Sequence, residues 1–175
     1  EMYIFSTRGC PNNCVFCASH NVHGKRIRSH SIDRVKNDIL YYHQKYGITL
    51  FNFSDDHFFI KKSRALDLLN FVNNNNLMVD VMGAAFFSID AEVAETMRKV
   101  GITQLNITIE SGNNETLMKI IKKPADLKKA QAAIDYLHKA GITVIANVLI
   151  GFPGETKEAI DIGLEYLRST NIDWF

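Results

Sequence analysis

The 175-residue chain has no large excess of either charge, no long apolar run and only three cysteines. Lys and Arg together number 20 against 19 for Asp and Glu, so charge gives no reason to expect nucleic acid or a membrane surface as partner. No apolar stretch approaches the ~20 residues of a transmembrane helix, and no signal-peptide pattern opens the sequence. The cytoplasm is the expected compartment. Three cysteines cannot all pair and nothing marks a secreted chain, which disfavours a disulfide. What is present, 46% hydrophobic and 22% charged residues, suffices for one domain with a real core. Both ends read as cut from a longer protein: Glu1 leads almost at once into a strand, and Trp174-Phe175 stands in an apolar run just begun.

All three cysteines stand in Arg8-Gly9-Cys10-Pro11-Asn12-Asn13-Cys14-Val15-Phe16-Cys17, spaced C-x3-C-x2-C. Spacings this short bring thiolates from one loop onto one metal centre. Three thiolates are one short of the usual iron–sulfur set, so a cubane cluster held here keeps one iron open for chemistry. Phe16 would set an apolar face beside that iron. His20 and His23 follow at C-x2-H-x2-H, so a Cys3His zinc tetrahedron is geometrically open as well. A structural zinc site or an electron-transfer module without substrate is the corresponding rival function. The stretch from His20 to His30, with Lys25, Arg26 and Arg28, reads as a solvated loop; the alternative is a cover for the metal site or a contact for an anionic substrate.

Beyond the loop, apolar runs alternate with amphipathic stretches. Strands are expected at Met2 to Phe5, Ile48 to Phe53, Leu77 to Met82, Ile102 to Ile109 and Ile142 to Ile150, with a sixth begun at Ile172. Between them Ser31 caps a helix whose stripe is Ile32, Val35, Ile39, Tyr42 and Tyr46, and further helices start near Lys61, Ala91 and Asp126, with a fifth around Ile160 to Leu167. The helix-to-strand junctions share one chemistry: Gly47-Ile48, Asn76-Leu77, Gly101-Ile102, Gly141-Ile142 and Asn171-Ile172. Gly and Asn tolerate the left-handed residue that ends a helix. Such repetition implies α/β architecture with parallel strands inside and helices outside. After the strands come the cysteine loop, Ser54-Asp55-Asp56, Gly83-Ala84-Ala85, Glu110-Ser111-Gly112 and Gly151 to Glu155. A barrel puts all of these on one face, whereas a doubly wound sheet gathers only those near its switch point. The expectation is therefore a partial TIM-type (β/α)6 barrel over residues 1–175, its last strand truncated.

The cysteine spacing, with an aromatic just before the last cysteine, resembles the radical S-adenosylmethionine (radical-SAM) superfamily. That resemblance implies a 4Fe–4S cluster on Cys10, Cys14 and Cys17, with the methionine end of S-adenosylmethionine on the open iron. It further implies reductive cleavage to a 5′-deoxyadenosyl radical that abstracts hydrogen from substrate, the electron coming from a flavodoxin- or ferredoxin-type donor. Ser54, Asp55 and Asp56 occupy the place of the family's Gly-Gly-Glu and are similar to the Phe-x-Asp-Asp variant of the cobalamin-associated branch. By the same resemblance Glu110 and Ser111 hold the ribose, and Lys122, or Lys123 in its stead, faces the carboxylate or ribose. Asn147, Leu149 and Gly151 fall where the family lines the adenine, while Glu155 comes one residue later than that pattern requires. The Gly-Phe-Pro-Gly-Glu form resembles the branch of methylthiotransferases and cobalamin-dependent enzymes. Methylation, methylthiolation, rearrangement and cyclisation all remain open, and no cobalamin-binding sequence stands in this chain.

Overall fold

The computed structural model describes residues 1–82 and 84–175. Its first half runs β1 (Met2–Ile4), β2 (Thr7–Arg8), α1 (Ser19–Val22), β3 (Arg28–Ser29), α2 (Ile32–Tyr46), β4 (Leu50–Phe53), α3 (Lys62–Asn74) and β5 (Met78–Val81). The second half runs α4 (Ala91–Lys99), β6 (Gln104–Glu110), α5 (Leu127–Lys139), β7 (Thr143–Val148) and α6 (Lys157–Ser169).

The long strands pair in parallel and in chain order. β1 pairs β4 and β4 pairs β5. Ala84 then bridges to Ile107 of β6, β6 pairs β7, and Trp174 bridges to Ile145 of β7. Among the described residues the order never reverses, so they show no switch point. Each helical crossover adds the next strand on the same side, which curls the sheet into the arc of a (β/α) barrel.

Alternation along the strands divides the arc into two faces. Phe51, Phe53, Val79, Val81, Leu105, Ile107, Ile109 and Val144 are buried towards the helices. There they meet Val35 and Ile39 of α2, Leu68 and Leu69 of α3, Val93 and Met97 of α4, and Ile134 and Leu137 of α5, in one continuous core. Each such side chain contributes about 1.5–3 kcal/mol on burial. The intervening residues Tyr3, Asn52, Asp80, Asn106 and Asn147 line a groove on the other face.

Local signals held at most boundaries. Ser31 Oγ accepts the Arg34 N–H, and Asp126 accepts that of Lys128. Gly47, Asn76, Gly101 and Gly141 are left-handed, with φ of 65°, 56°, 92° and 75°. Asn171 is not among the left-handed residues, because α6 ends instead on an extended Thr170 whose N–H and hydroxyl both donate to Leu167 O. Tyr46 leaves the buried stripe of α2 and lies exposed, stacked on Tyr42. The stretch His20 to His30 is more than a loop: it holds most of α1 and then β3, which pairs antiparallel with β2. Gly83 lies outside the described residues.

Candidate functional site

At the C-terminal ends of the strands lies a cavity with ≈ 850 Å³ of empty space, its open mouth included. Cys10, Cys14 and Cys17 all line it, together with Phe16, Asp56, His57, Glu110 and Lys123.

Backbone contacts fix the cysteine loop. Cys10 N–H donates to Gly24 O (3.2 Å), Cys17 N–H to Cys14 O (3.1 Å) and Val15 N–H to Ile121 O (3.0 Å). Gly9 sits at φ 98° with the Arg26 carbonyl so near that a Cβ would meet its oxygen at 2.3 Å, so only glycine lets the two backbones pass. Burial pushes the Cys10 and Cys14 thiols up, and each is also raised by the neighbouring Cys17, against the lowering influence of Lys123. Thiols in such a setting ionise when a metal centre compensates the charge.

The donor set suits a cubane cluster better than one zinc ion. His23 Nδ1 is held by Asp56 Oδ2 at 2.9 Å, and His20 lines the cavity beside the cysteines. Among the described residues no three Cys, His, Asp or Glu side chains converge closely enough to share a single ion. A cubane holds its thiolates farther apart than one ion does, as three thiols along one cavity wall allow.

The two adjacent aspartates differ. Asp55 is buried away from the cavity, where it accepts from Ser6 Oγ (3.1 Å) and from the Thr7 N–H. Burial pushes its carboxyl up despite those bonds. Asp55 is therefore a brace for the β1–β2 turn and does not line the site. Asp56 lines the cavity and accepts from Gly9 N–H (2.7 Å). Burial acts to raise Asp56 too, but bonds from Gly9, Ser19 and His23 outweigh it and hold the carboxyl below its usual value. Ser54 reaches only the rim, its Oγ 3.3 Å from Met82 Sδ.

Glu110 ends β6 at φ 71°, beyond a register shift against β7, and is buried on the cavity wall. A left-handed glutamate costs energy and persists only where surrounding contacts hold it. Here Leu149 N–H donates to Glu110 O (2.8 Å), and Lys123 Nζ lies 3.2 Å from Glu110 Oε1. Lys123 also donates to Thr108 Oγ1 (3.0 Å) and Thr108 O, and lies over the Phe86 ring. Burial lowers its ammonium pKa against the opposing pull of Glu110.

Lys122, the first expectation, does not line the cavity. It terminates the π-helical turn Thr116–Ile121 at φ 58°, and this left-handed step leaves it exposed while Lys123 points inward. Ser111 is also displaced: its Oγ accepts the Asn113 N–H, and it faces a small crevice shared with Leu149, Gly163 and Glu155. Asn147 opens onto the polar groove instead. Leu149 and Gly151 lie exposed in the loop after β7, Gly151 at φ 89°. Glu155 holds that loop closed, accepting from Gly151 N–H (2.6 Å) and Phe152 N–H (3.2 Å). Phe152 packs against Phe16, ring centroids 6.0 Å apart, which couples this loop to the cysteines.

His57 was missed. Its imidazole is buried on the cavity wall with Nε2 3.3 Å from Ser88 Oγ, and burial holds its pKa down. No motif marked it; the only signal was its place directly after the two aspartates.

Comparison with known proteins gives a consistent picture. The family model described as Radical SAM superfamily matches residues 4–167. An uncharacterised methyltransferase of Pyrococcus horikoshii is 30% identical over 172 residues, which are 98% of this chain and 37% of that protein. The cytidylyl-2-hydroxyethylphosphonate methyltransferase of Streptomyces wedmorensis is 28% identical over 93% of this chain and 32% of its own. Among solved structures, the radical S-adenosylmethionine methyltransferase TsrM of Kitasatospora setae, with cobalamin and a [4Fe-4S] cluster bound, superposes with a TM-score of 0.81 at 18% identity. That match covers 95% of this chain and 32% of TsrM, and at such identity it speaks for the fold. The chain spans about a third of the length of these curated relatives.

Proposed function

Because this chain belongs to the radical SAM superfamily, we propose that its cavity is the catalytic core of a radical methyl- or methylthio-transferring enzyme. The observation that carries this reading is the meeting of three thiols and the Glu110–Lys123 pair on the walls of one cavity at the strand ends. We read residues 1–175 as one core barrel of a longer protein, with Cys10, Cys14 and Cys17 holding a 4Fe–4S cluster and the cavity receiving S-adenosylmethionine. Bound together, these cofactors would supply one-electron reductive cleavage of the C5′–S bond and, from it, hydrogen abstraction from a substrate.

The residues supply placement and exclusion of water. Glu110, aimed by its left-handed backbone, offers carboxylate oxygens to ribose hydroxyls. Lys123 offers a buried cation to a carboxylate and steadies Glu110 at the same time. Phe16 with Phe152, and Leu149 with Gly151, form an apolar rim for a flat aromatic base. Asp56 acts one step back, holding the Gly9 amide and the His23 ring against the cysteine loop. The relatives named as methyltransferases, and the neighbour with cobalamin bound, favour methyl transfer with cobalamin carried outside this chain.

The test is anaerobic reconstitution with iron and sulfide, followed by S-adenosylmethionine and dithionite. The expected products are 5′-deoxyadenosine or, for direct methyl transfer, S-adenosylhomocysteine. A fully loaded protein that yields neither would overturn the reading.

A further inference from the structure

The stretch of chain that carries the cysteine loop holds charge of one sign. Residues 2–32 contain no Asp or Glu, although the whole chain is nearly neutral. Arg8, Lys25, Arg26 and Arg28 in that stretch are exposed, and Lys61 joins them through Ser29 Oγ (3.2 Å). Among the described residues none of these five cations forms an ion pair with a carboxylate. Arg8 and Arg28 stand directly opposite one another in the β2–β3 hairpin. Like charges at facing positions destabilise a strand pair, so the hairpin keeps them at a cost. Arg8, Arg28, Ser29 and His30 line an open groove between the strands.

This hairpin is stitched to the cysteine loop. Cys10 N–H donates to Gly24 O, Lys25 Nζ donates to Asn13 Oδ1 (2.9 Å), and Gly9 lies against the Arg26 carbonyl. A surface locked to the first cysteine offers an external electron a covalent and hydrogen-bonded route inward.

We propose that the basic β2–β3 hairpin is the docking surface for an acidic electron-donor protein, a reduced low-potential flavin or iron–sulfur carrier. The proposal rests on the radical-enzyme reading, which requires one electron per cleavage from outside. In the docked pair one electron leaves the reduced donor and arrives at the centre held by Cys10, Cys14 and Cys17; no atom or proton is transferred. Cations at the rim steer an anionic partner into register and chiefly raise its rate of association. The patch is small and sits beside the cysteines, which favours a compact redox protein over an extended nucleic acid.

The test compares the reconstituted protein with its Arg26→Glu/Arg28→Glu variant and with Arg28→Lys, which keeps the charge. Stopped-flow reduction by an acidic reduced flavodoxin should slow by about tenfold or more in the double variant at low salt. Reduction by photoreduced deazaflavin, a small uncharged donor, should keep its wild-type rate, and Arg28→Lys should behave as wild type. Added salt should slow the wild type towards the double variant. Equal slowing with both donors, or unchanged flavodoxin kinetics, would overturn the proposal. So would variants that lose affinity for an RNA oligonucleotide while keeping it for flavodoxin. A protein that takes up no cluster fails the earlier reading instead, and direct titration of flavodoxin against wild type and double variant then decides this one.

Discussion

The two faces of the same strands follow different rules. On the convex face every second residue, from Phe51 to Val144, is packed against a helix. On the concave face the intervening positions Asp80, Gln104, Asn106 and Asn147 are exposed polar groups around a groove. At the strand ends the concave side becomes enclosed, and there it holds buried charge: Glu110 and Lys123. Packing dictates the first face and chemistry the second, so substitutions on them should fail in different ways.

The sharpest contrast comes from the strand-end rim. Cys14→Ala should reduce cluster content and S-adenosylmethionine cleavage to background while the circular dichroism of the fold stays intact, as iron analysis and product assay would show. Next in size, Lys123→Met should lower kcat/KM for cleavage by about 100-fold, the scale of losing one aimed charged donor. Lys122→Met should leave it unchanged, and the reverse outcome would restore the first expectation for this pair. On the strands themselves, Ile107→Ala should cost about 2–5 kcal/mol in denaturant unfolding. Its neighbour Asn106→Ala should stay within about 0.5 kcal/mol. Equal losses at the two positions would break the division between faces.

The smallest expected effect concerns pH. The Asp56 carboxyl lies below its ordinary value of 3.8 when folded, so its stabilisation is present above 3.8 and is lost as pH falls through the folded value. Asp55 lies above 3.8, so the folded state binds its proton more readily and stability from this group declines as pH rises from 3.8 through the raised value. Asp56→Asn should flatten the acid limb of a denaturant midpoint–pH curve, and Asp55→Asn should flatten the segment just above it.

Much of this was legible in residue order. The C-x3-C-x2-C spacing put three thiols on one loop, and the repeated Gly-Ile and Asn-Leu junctions placed the helix ends because a left-handed residue has few chemical solutions. The barrel over the doubly wound sheet was also legible, since a candidate site loop followed every strand and only a barrel puts all of them on one face. Less legible was which of two neighbours faces inward. Asp55 and Asp56 carry the same side chain, as do Lys122 and Lys123, and no periodicity governs a loop. The β2–β3 hairpin escaped as well, because two-residue strands leave no alternation to read.

Sequence alone determined the main strand–helix succession, the convex core and the gathering of three thiols on one loop, since each depends on short-range spacing and on the side chains' own polarity. Tertiary structure alone decided that Asp55 braces a turn while Asp56 borders the cavity, that Lys123 rather than Lys122 meets Glu110, and that Glu155 ties a loop. Those assignments depend on backbone direction at a few left-handed or irregular residues, and that direction is set by what the distant parts of the chain pack against.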